Sequence, residues 1–559
     1  MPRYLFLALA LVTCLEASAQ NRRYSQEDAS GGVLLPEEAA YDVKAYDLAL
    51  RVDPEEKTID GTLTMDAELL AATEFVVMDL DPRLEVDALS WTSTDTRSEA
   101  HERRGRQLWI PVEGLEPGAR FQVVIAYGGK PREAPRPPWD GGFTWARTAD
   151  GSPWIATTCQ GEGADVWWPC KDHPSDEPDQ MDLRITAPAD LVVATNGRLV
   201  SVEDSAEEGW RTHNWHVSTP INNYGVALNI APYRTITTDF ESVAGDSFEF
   251  TYWVLPENYE KGVAIFEEFQ RQMRFFEEFF GPYPFRGDKY GVAETPHLGM
   301  EHQSIIAYGH QYRGDPDLGY DYDWLHHHEL SHEWWANLVT ARDWNDFWIH
   351  EGIGTYTQAL YLEQRFGEEA YRKKLASDLK RVKNRGTVAP RDPRTTQEMY
   401  FSSNREDAPD IDVYMKGSWI CHSLRWVVGD DRFFEILRRW AYPDPALEGT
   451  TDGSACRFAT TDELIEIAEE IAGIELDWFF ELYLRQPGLP ELVVTPAEGG
   501  LELAWKTPNS LVFPMPVEVR ILGQVVRVPM PGGRGWIGTG DEEATEWEID
   551  PLHRILMAR

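Results

Sequence analysis

Cysteine is scarce. The 559-residue chain has five, and no CxxC pair occurs among them, which argues against a second, cysteine-held metal site. Cys14 lies in an N-terminal apolar run. Cys159, Cys170, Cys421 and Cys456 remain, and four cysteines allow three full pairings among which sequence does not choose. Cys159 and Cys170 are near enough in sequence to bridge, or to stay as two buried thiols. Basic residues are also short: 52 Lys and Arg face 94 Asp and Glu, for a net charge of −42 and a pI near 4.7. So acidic a surface argues against nucleic acid or an anionic membrane as partner. It keeps a protein soluble, and it also suits saline surroundings. Long apolar runs are missing beyond the N-terminus, so no membrane-spanning helix is expected. The chain has no internal repeat and no long low-complexity tract. What it does have, 42% hydrophobic residues with 22 Trp, describes a packed globular protein, and its length calls for several domains.

Residues 1–19 have the pattern of a secretory signal. Arg3 gives the positive start, 5–15 is an apolar run too short to cross a bilayer, and Ala17-Ser18-Ala19 fits the small-residue cleavage rule. The mature chain would then begin at Gln20 and be exported, to the periplasm or the medium. Residues 20–38 are polar and weakly patterned and read as a flexible leader. From 39 to 235 alternation dominates: Tyr46, Leu48, Leu50 and Val52, then Leu63, Met65 and Ala67, with Asp53-Pro54 starting the turn between them. From 236 to 488 the period turns helical, with stretches at 265–280, 347–366, 368–383, 415–428, 432–441 and 461–471. Beyond 489, Leu501, Leu503 and Trp505 alternate, as do Val517, Val519 and Ile521, so 489–559 reads as a small β-sandwich.

One constellation carries the chemistry. Residues 328–332 read His-Glu-Leu-Ser-His, and Glu351 follows after eighteen intervening residues. His328 and His332, four apart, share one face of a helix and can bind one zinc ion from the same side. Glu329 sits where its carboxylate can reach a metal-activated water. Glu351, near the start of the 347–366 stretch, can supply a third ligand, which leaves a fourth position open and marks a catalytic site. An HExxH match alone can be an accident on a solvated helix. Here Trp334, Trp335, Ala336, Leu338 and Val339 follow, so the helix is expected to run on, largely buried, where its two His and two Glu need a partner. His326 and His327 read as a polar lead-in, because only His328 is followed by Glu and then by His at the right spacing.

These residues carry a resemblance. HELSH, the gap, and Trp348-Ile349-His350-Glu351-Gly352 resemble the zinc signature of the aminopeptidase N family of gluzincin peptidases. Gly299-Met300-Glu301-His302 resembles that family's exopeptidase segment, and Tyr414-Met415-Lys416-Gly417 resembles its Tyr-x-Lys-Gly segment, which bears a catalytic tyrosine. A weaker match is Gln160, ahead of Trp168-Pro169-Cys170 and Asp176-Glu177-Pro178. The resemblance covers roughly 40–559 and implies a multidomain α+β fold. Its parts would be a saddle-like β-rich N-terminal domain, a thermolysin-like, mostly helical catalytic domain and a small C-terminal β-sandwich. This looks like the short bacterial-type form without a large helical domain at the end. The same resemblance implies one zinc per chain on His328, His332 and Glu351, with Glu329 as general base and Tyr414 as oxyanion donor. Glu301 would pair with the substrate's α-ammonium, Gln160 would add an acceptor for it, and Gly299 and Met300 would line the substrate. The implied activity removes N-terminal residues from peptides with a free N-terminus. His302 departs from the family's Asn, and this bears on substrate preference.

Two other readings compete. An endopeptidase of the thermolysin type shares the zinc ligands but lacks an amine-binding Glu, so Gly299-Met300-Glu301 counts against it. A metal-free interaction scaffold would be expected to lose the ligands, and this chain keeps all three with Glu329 and Tyr414. Taken alone, Glu301 would read as an exposed strand carboxylate and Tyr414 as a core tyrosine near a helix start. The sequence carries no sign of the oligomeric state.

Overall fold

Alternating apolar residues put the strand Tyr41–Asp53 inside an eight-stranded sheet. Tyr46, Leu48, Leu50 and Val52 are buried, and the residues between them are partly exposed, as a sheet with one covered face requires. Its neighbours are Thr58–Leu69, antiparallel, and Gln180–Pro188, parallel. The computed structural model describes residues 29–558 apart from 95, 113, 311, 316, 401–404, 522 and 539–545. The expected signal segment and the first part of the leader lie outside the described residues. The described end of the leader is held in place, unlike the loose segment expected. Gly32 N donates to Asp343 Oδ1 at 2.9 Å, and the Ser30 carbonyl accepts from Thr396 N at 3.1 Å. Backbone groups do the holding, so no side-chain period announces it.

A four-stranded sheet includes Pro153–Thr158, and Gln160 lies just past that strand. A five-stranded sheet then runs in the order Arg234–Glu241, Ser247–Val254, Tyr290–Glu294, Ile306–Tyr308, Gly299–Met300. The exopeptidase-like segment is therefore an edge strand. Helices follow at Tyr259–Phe280, Trp348–Phe366, Glu368–Arg381, Asp412–Val428, Asp430–Ala441 and Thr461–Ala472, close to the expected stretches. Thr396–Tyr400 and Asp477–Leu484 are helices that periodicity missed. The C-terminal part holds two three-stranded sheets, with Leu501, Leu503, Val517, Val519 and Ile521 buried. The chain is thus β-rich, then mostly helical, then β again. Cys159, Cys170, Cys421 and Cys456 are all free thiols. Among the described residues no helix is long and apolar enough to cross a membrane.

One expectation fails. The motif helix spans Trp324–Ser331 and stops at His332, so the apolar residues after the motif do not continue it. The backbone makes a wide turn over Glu333–Leu338, leaves helical angles at Trp335 (φ −110°, ψ 68°), and enters the strand Val339–Ala341. Trp334, Trp335, Leu338 and Val339 are buried as expected, but they fill the core from a turn.

The helices Trp348–Phe366 and Asp412–Val428 cross at two glycines. A Cβ on Gly417 would lie 2.6 Å from Gly352 Cα, so no side chain fits there. Gly354 admits the motif helix in the same way, since its Cβ would meet Ser331 Oγ at 2.5 Å. Gly417→Ala is therefore expected to destabilise the protein. Overpacking costs about 1–3 kcal/mol, more than the roughly 1 kcal/mol that Ala gains over Gly within a helix. Thermal unfolding should show a lowered Tm, while Gly449→Ala, with no atom within 4 Å of the added carbon, should leave it unchanged.

Candidate active site

Asp323 starts the motif helix by accepting a hydrogen bond from His326 N at 2.9 Å. His326 and His327 are not a polar lead-in, because the helix begins inside the core and both rings are fully buried. His326 stacks on Phe269 and meets Gln272 Oε1 at 2.6 Å and the Tyr290 hydroxyl at 3.0 Å. His327 lies among Phe276 and Tyr361.

His328 and His332 do converge. Their Nε2 atoms are 3.4 Å apart, and Glu351 Oε2 is 3.4 Å from the first and 3.5 Å from the second. His332 Nδ1 meets the Trp335 carbonyl at 3.0 Å. A carbonyl only accepts, so the ring proton sits on Nδ1 and Nε2 presents a lone pair. The helix break supplies that carbonyl. Glu351 Oε1 accepts from the Tyr414 hydroxyl at 2.9 Å, while buried Oε2 finds no hydrogen-bond partner. Lone pairs facing one another call for a cation, and two imidazoles with one carboxylate fit zinc. Burial takes the His332 imidazole down to about 4. Burial also pushes the Glu351 carboxyl up, but His332, His328 and Tyr414 outweigh it and hold the group below the usual carboxylate range. Both groups are then unprotonated near neutral pH, as metal binding requires.

Glu301, Glu329 and His332 bring their ligating atoms within 4.8 Å of one another. Burial, then Glu301 and Glu351, raise the Glu329 carboxyl well above its ordinary value. Gly299 makes its place, since a Cβ there would lie 2.2 Å from Glu329 Oε1. Glu301 is buried, not an exposed strand carboxylate. It accepts from the Tyr224 hydroxyl at 3.2 Å and from Gln160 Nε2 in a short bond, and Asn337 Nδ2 holds its carbonyl at 3.1 Å. Burial and the nearby Glu351 push its carboxyl up to about 8. His302 is fully buried, burial and His297 bring it down to about 3, and it does not line the cavity. Its influence on substrate is at most through packing.

A cavity of about 580 Å³ is lined by Gln160, Gly299, Met300, Glu301, His328, Glu329, Glu351 and Tyr414. Of the ligand, catalytic and substrate-binding residues expected from the sequence, His332 lies behind its wall. Sequence reasoning missed Tyr224, Asn337 and Tyr400, whose hydroxyl meets that of Tyr414 at 2.6 Å. Tyr400 ends a five-residue helix too short to show a period.

The chain matches the Peptidase M1 N-terminal domain over residues 43–224 and the Peptidase family M1 domain over residues 264–443. It belongs to the M1 peptidase family. It is 22% identical to an aminopeptidase N of Haemonchus contortus over 80% of this chain and 48% of that one. It is 25% identical to a leucine aminopeptidase 2 of Emericella nidulans over 66% of this chain and 59% of that one. The chain thus spans about half the length of these curated relatives. An M1 zinc metallopeptidase of Deinococcus radiodurans superposes with a TM-score of 0.63 at 23% identity, covering 81% of this chain and 95% of that one, a likeness of fold.

Glu351→Ala is expected to lower zinc content, whereas Gly299→Ala should keep the metal and lose turnover by displacing Glu329. Metal analysis beside kcat separates them, and a metal-free Gly299→Ala would tie the glycine to the ligands instead.

Proposed function

We propose that the protein is a zinc-dependent aminopeptidase that cuts the first peptide bond of peptides with a free N-terminus. The observation that supports this most is the contact between Glu301 and Gln160 in the wall that also carries His328 and Glu351. A buried carboxylate beside an amide carbonyl suits an ammonium. An endopeptidase, whose substrate continues through the site as a neutral amide, has no use for it. The two named relatives, an aminopeptidase N and a leucine aminopeptidase, point the same way.

His328, His332 and Glu351 would hold one zinc per chain, which when bound supplies Lewis acidity to the scissile carbonyl and to water. Glu329 takes the proton of the attacking water and passes it to the leaving amine. Tyr414 turns its hydroxyl from Glu351 to the oxyanion that forms as the bond is attacked. Glu301 receives the α-ammonium, and Gln160 Oε1 accepts another of its N–H groups. Gly299 and Met300, on an edge strand, offer backbone groups along which an extended peptide can lie. We further propose export after cleavage near Ala19, with peptides, not nucleic acid, as partners of so acidic a chain.

Aminoacyl chromogenic substrates, a free peptide and its N-acetylated form, each with and without chelator, test the reading. Acetylation is expected to slow cleavage by roughly 30-fold or more, because a buried charge loses its partner at about 2–5 kcal/mol. Glu301→Ala should narrow that gap. Chelation should abolish activity and zinc should restore it. Blocked peptides cut as fast as free ones would make the chain an endopeptidase. Glu329→Gln is expected to keep zinc while kcat falls on the order of 10²-fold or more, and a variant that turns over normally would remove Glu329 from the proton path.

A further inference from the structure

The cavity holds a tyrosine that no motif announces. The Tyr400 hydroxyl lies 2.6 Å from the Tyr414 hydroxyl, 3.2 Å from Gln160 Oε1 and 3.3 Å from Glu351 Oε1. It has one proton to share among these acceptors. Tyr414 gives its own proton to Glu351 Oε1 at 2.9 Å, so Tyr400 is the donor in the 2.6 Å contact. On its other side Gln160 reaches Glu301 through Nε2. Tyr400 is thus where the amine end and the metal end of the cavity meet.

Its position is fixed from three sides. The ring packs edge-on against Phe347, 4.9 Å between centroids at 89°. The helix Thr396–Tyr400 is too short to stand alone. It is tied at its start by Thr396 N to the Ser30 carbonyl at 3.1 Å and by Thr396 Oγ1 to the Gly161 carbonyl at 2.8 Å. Gly161 follows Gln160, so the same tie that places Tyr400 also steadies the loop carrying its partner.

We propose that Tyr400 is a positioning residue that sets the spacing between the Gln160 amide, which meets the substrate's amine, and the Tyr414 hydroxyl, which meets its carbonyl oxygen. In a peptide with a free N-terminus a single residue separates those two groups, so the spacing is constant whatever the side chain. Misplacement on the ångström scale at such a site costs large factors in rate. Donation from Tyr400 also polarises the Tyr414 O–H toward its next acceptor. The inference rests on the aminopeptidase reading and on Tyr414 as its oxyanion donor.

Wild type, Tyr400→Phe, Tyr414→Phe and the double variant form a cycle that tests it. Phenylalanine keeps the ring against Phe347. Tyr400→Phe is expected to lower kcat about tenfold with zinc content and Tm unchanged, and Tyr414→Phe to lower it on the order of 10²-fold. In the Tyr414→Phe background the second change should alter kcat less than about twofold, because residues that act as a unit are not additive. The ratio of rates on free and acetylated peptide should also fall in Tyr400→Phe, a shift that lost stability alone does not produce. Independent, multiplicative effects would overturn the proposal, as would wild-type kcat, lost zinc or an unchanged ratio in Tyr400→Phe. A fully active Tyr414→Phe would instead strike the oxyanion reading itself, and this inference with it.

Discussion

Glu351 Oε2 lies 3.4 Å and 3.5 Å from the Nε2 atoms of His328 and His332, buried, with no hydrogen bond of its own. Glu329 and Glu301 stand in the same pocket. Left to themselves, buried ions are penalised by several kcal/mol each even after relaxation. A zinc ion held by three protein ligands works on the opposite side of that balance, and its binding is worth about 10–16 kcal/mol in small domains at neutral pH. The metal term is the larger, so an arrangement that would repel itself becomes the stable one when the cation is bound. The hydrogen bond from the Tyr414 hydroxyl to Glu351 Oε1 fixes which oxygen remains for the metal.

That crowding is possible because the backbone comes unusually close. Gly352 and Gly417 let two helices touch main chain to main chain, Gly354 admits Ser331, and Gly299 leaves room for the Glu329 carboxylate. Each glycine lies within three residues of a site residue or packs on one. Their common effect is to shorten the distance between side chains that start on different elements: Glu351 and Tyr414 on crossing helices, Glu301 just past an edge strand and Glu329 on a helix. The turn at Trp335 adds the one carbonyl that orients His332. Positioning here comes from missing side chains and one broken helix as much as from the groups that do chemistry.

The parts legible in sequence were those whose signal is local. The four-residue spacing of His328 and His332 is a property of one helix, and Glu351 is read from a stretch that is itself helical. Alternation at Tyr46, Leu48, Leu50 and Val52 gave strands for the same reason. The end of the motif helix was not legible, because Trp334, Trp335, Leu338 and Val339 are as apolar in a buried turn as in a buried helix, and period cannot separate the two. His326 and His327 looked polar by residue type, yet their neighbours Phe269, Phe276 and Tyr361 come from elsewhere in the chain. Tyr224 and Tyr400 reach the site only through tertiary packing. Gln160, the weakest of the matched residues, proved to touch Glu301, which its own surroundings in sequence do not foretell.

The two ends of the cavity come from different parts of the chain, and this bears on why the β-rich region belongs to the site. Glu301 follows the edge strand Gly299–Met300, and its carboxylate takes one bond from its own backbone N–H. The side-chain donors are Gln160 and Tyr224, both from the first half of the chain. Burial and Glu351 drive that carboxyl toward its neutral form, and bonds from Tyr224 and Gln160 work against the drift. A neutral Glu301 would offer an arriving ammonium no charge. An ammonium in contact with it would favour the ionised form further, so binding and ionisation reinforce each other. On the reading proposed, discrimination for a free N-terminus arises from the β-rich region acting on Glu301, while Glu329 and Tyr414 sit on helices. Tyr400, placed by the leader and by Gly161, closes the gap between those two sources of structure.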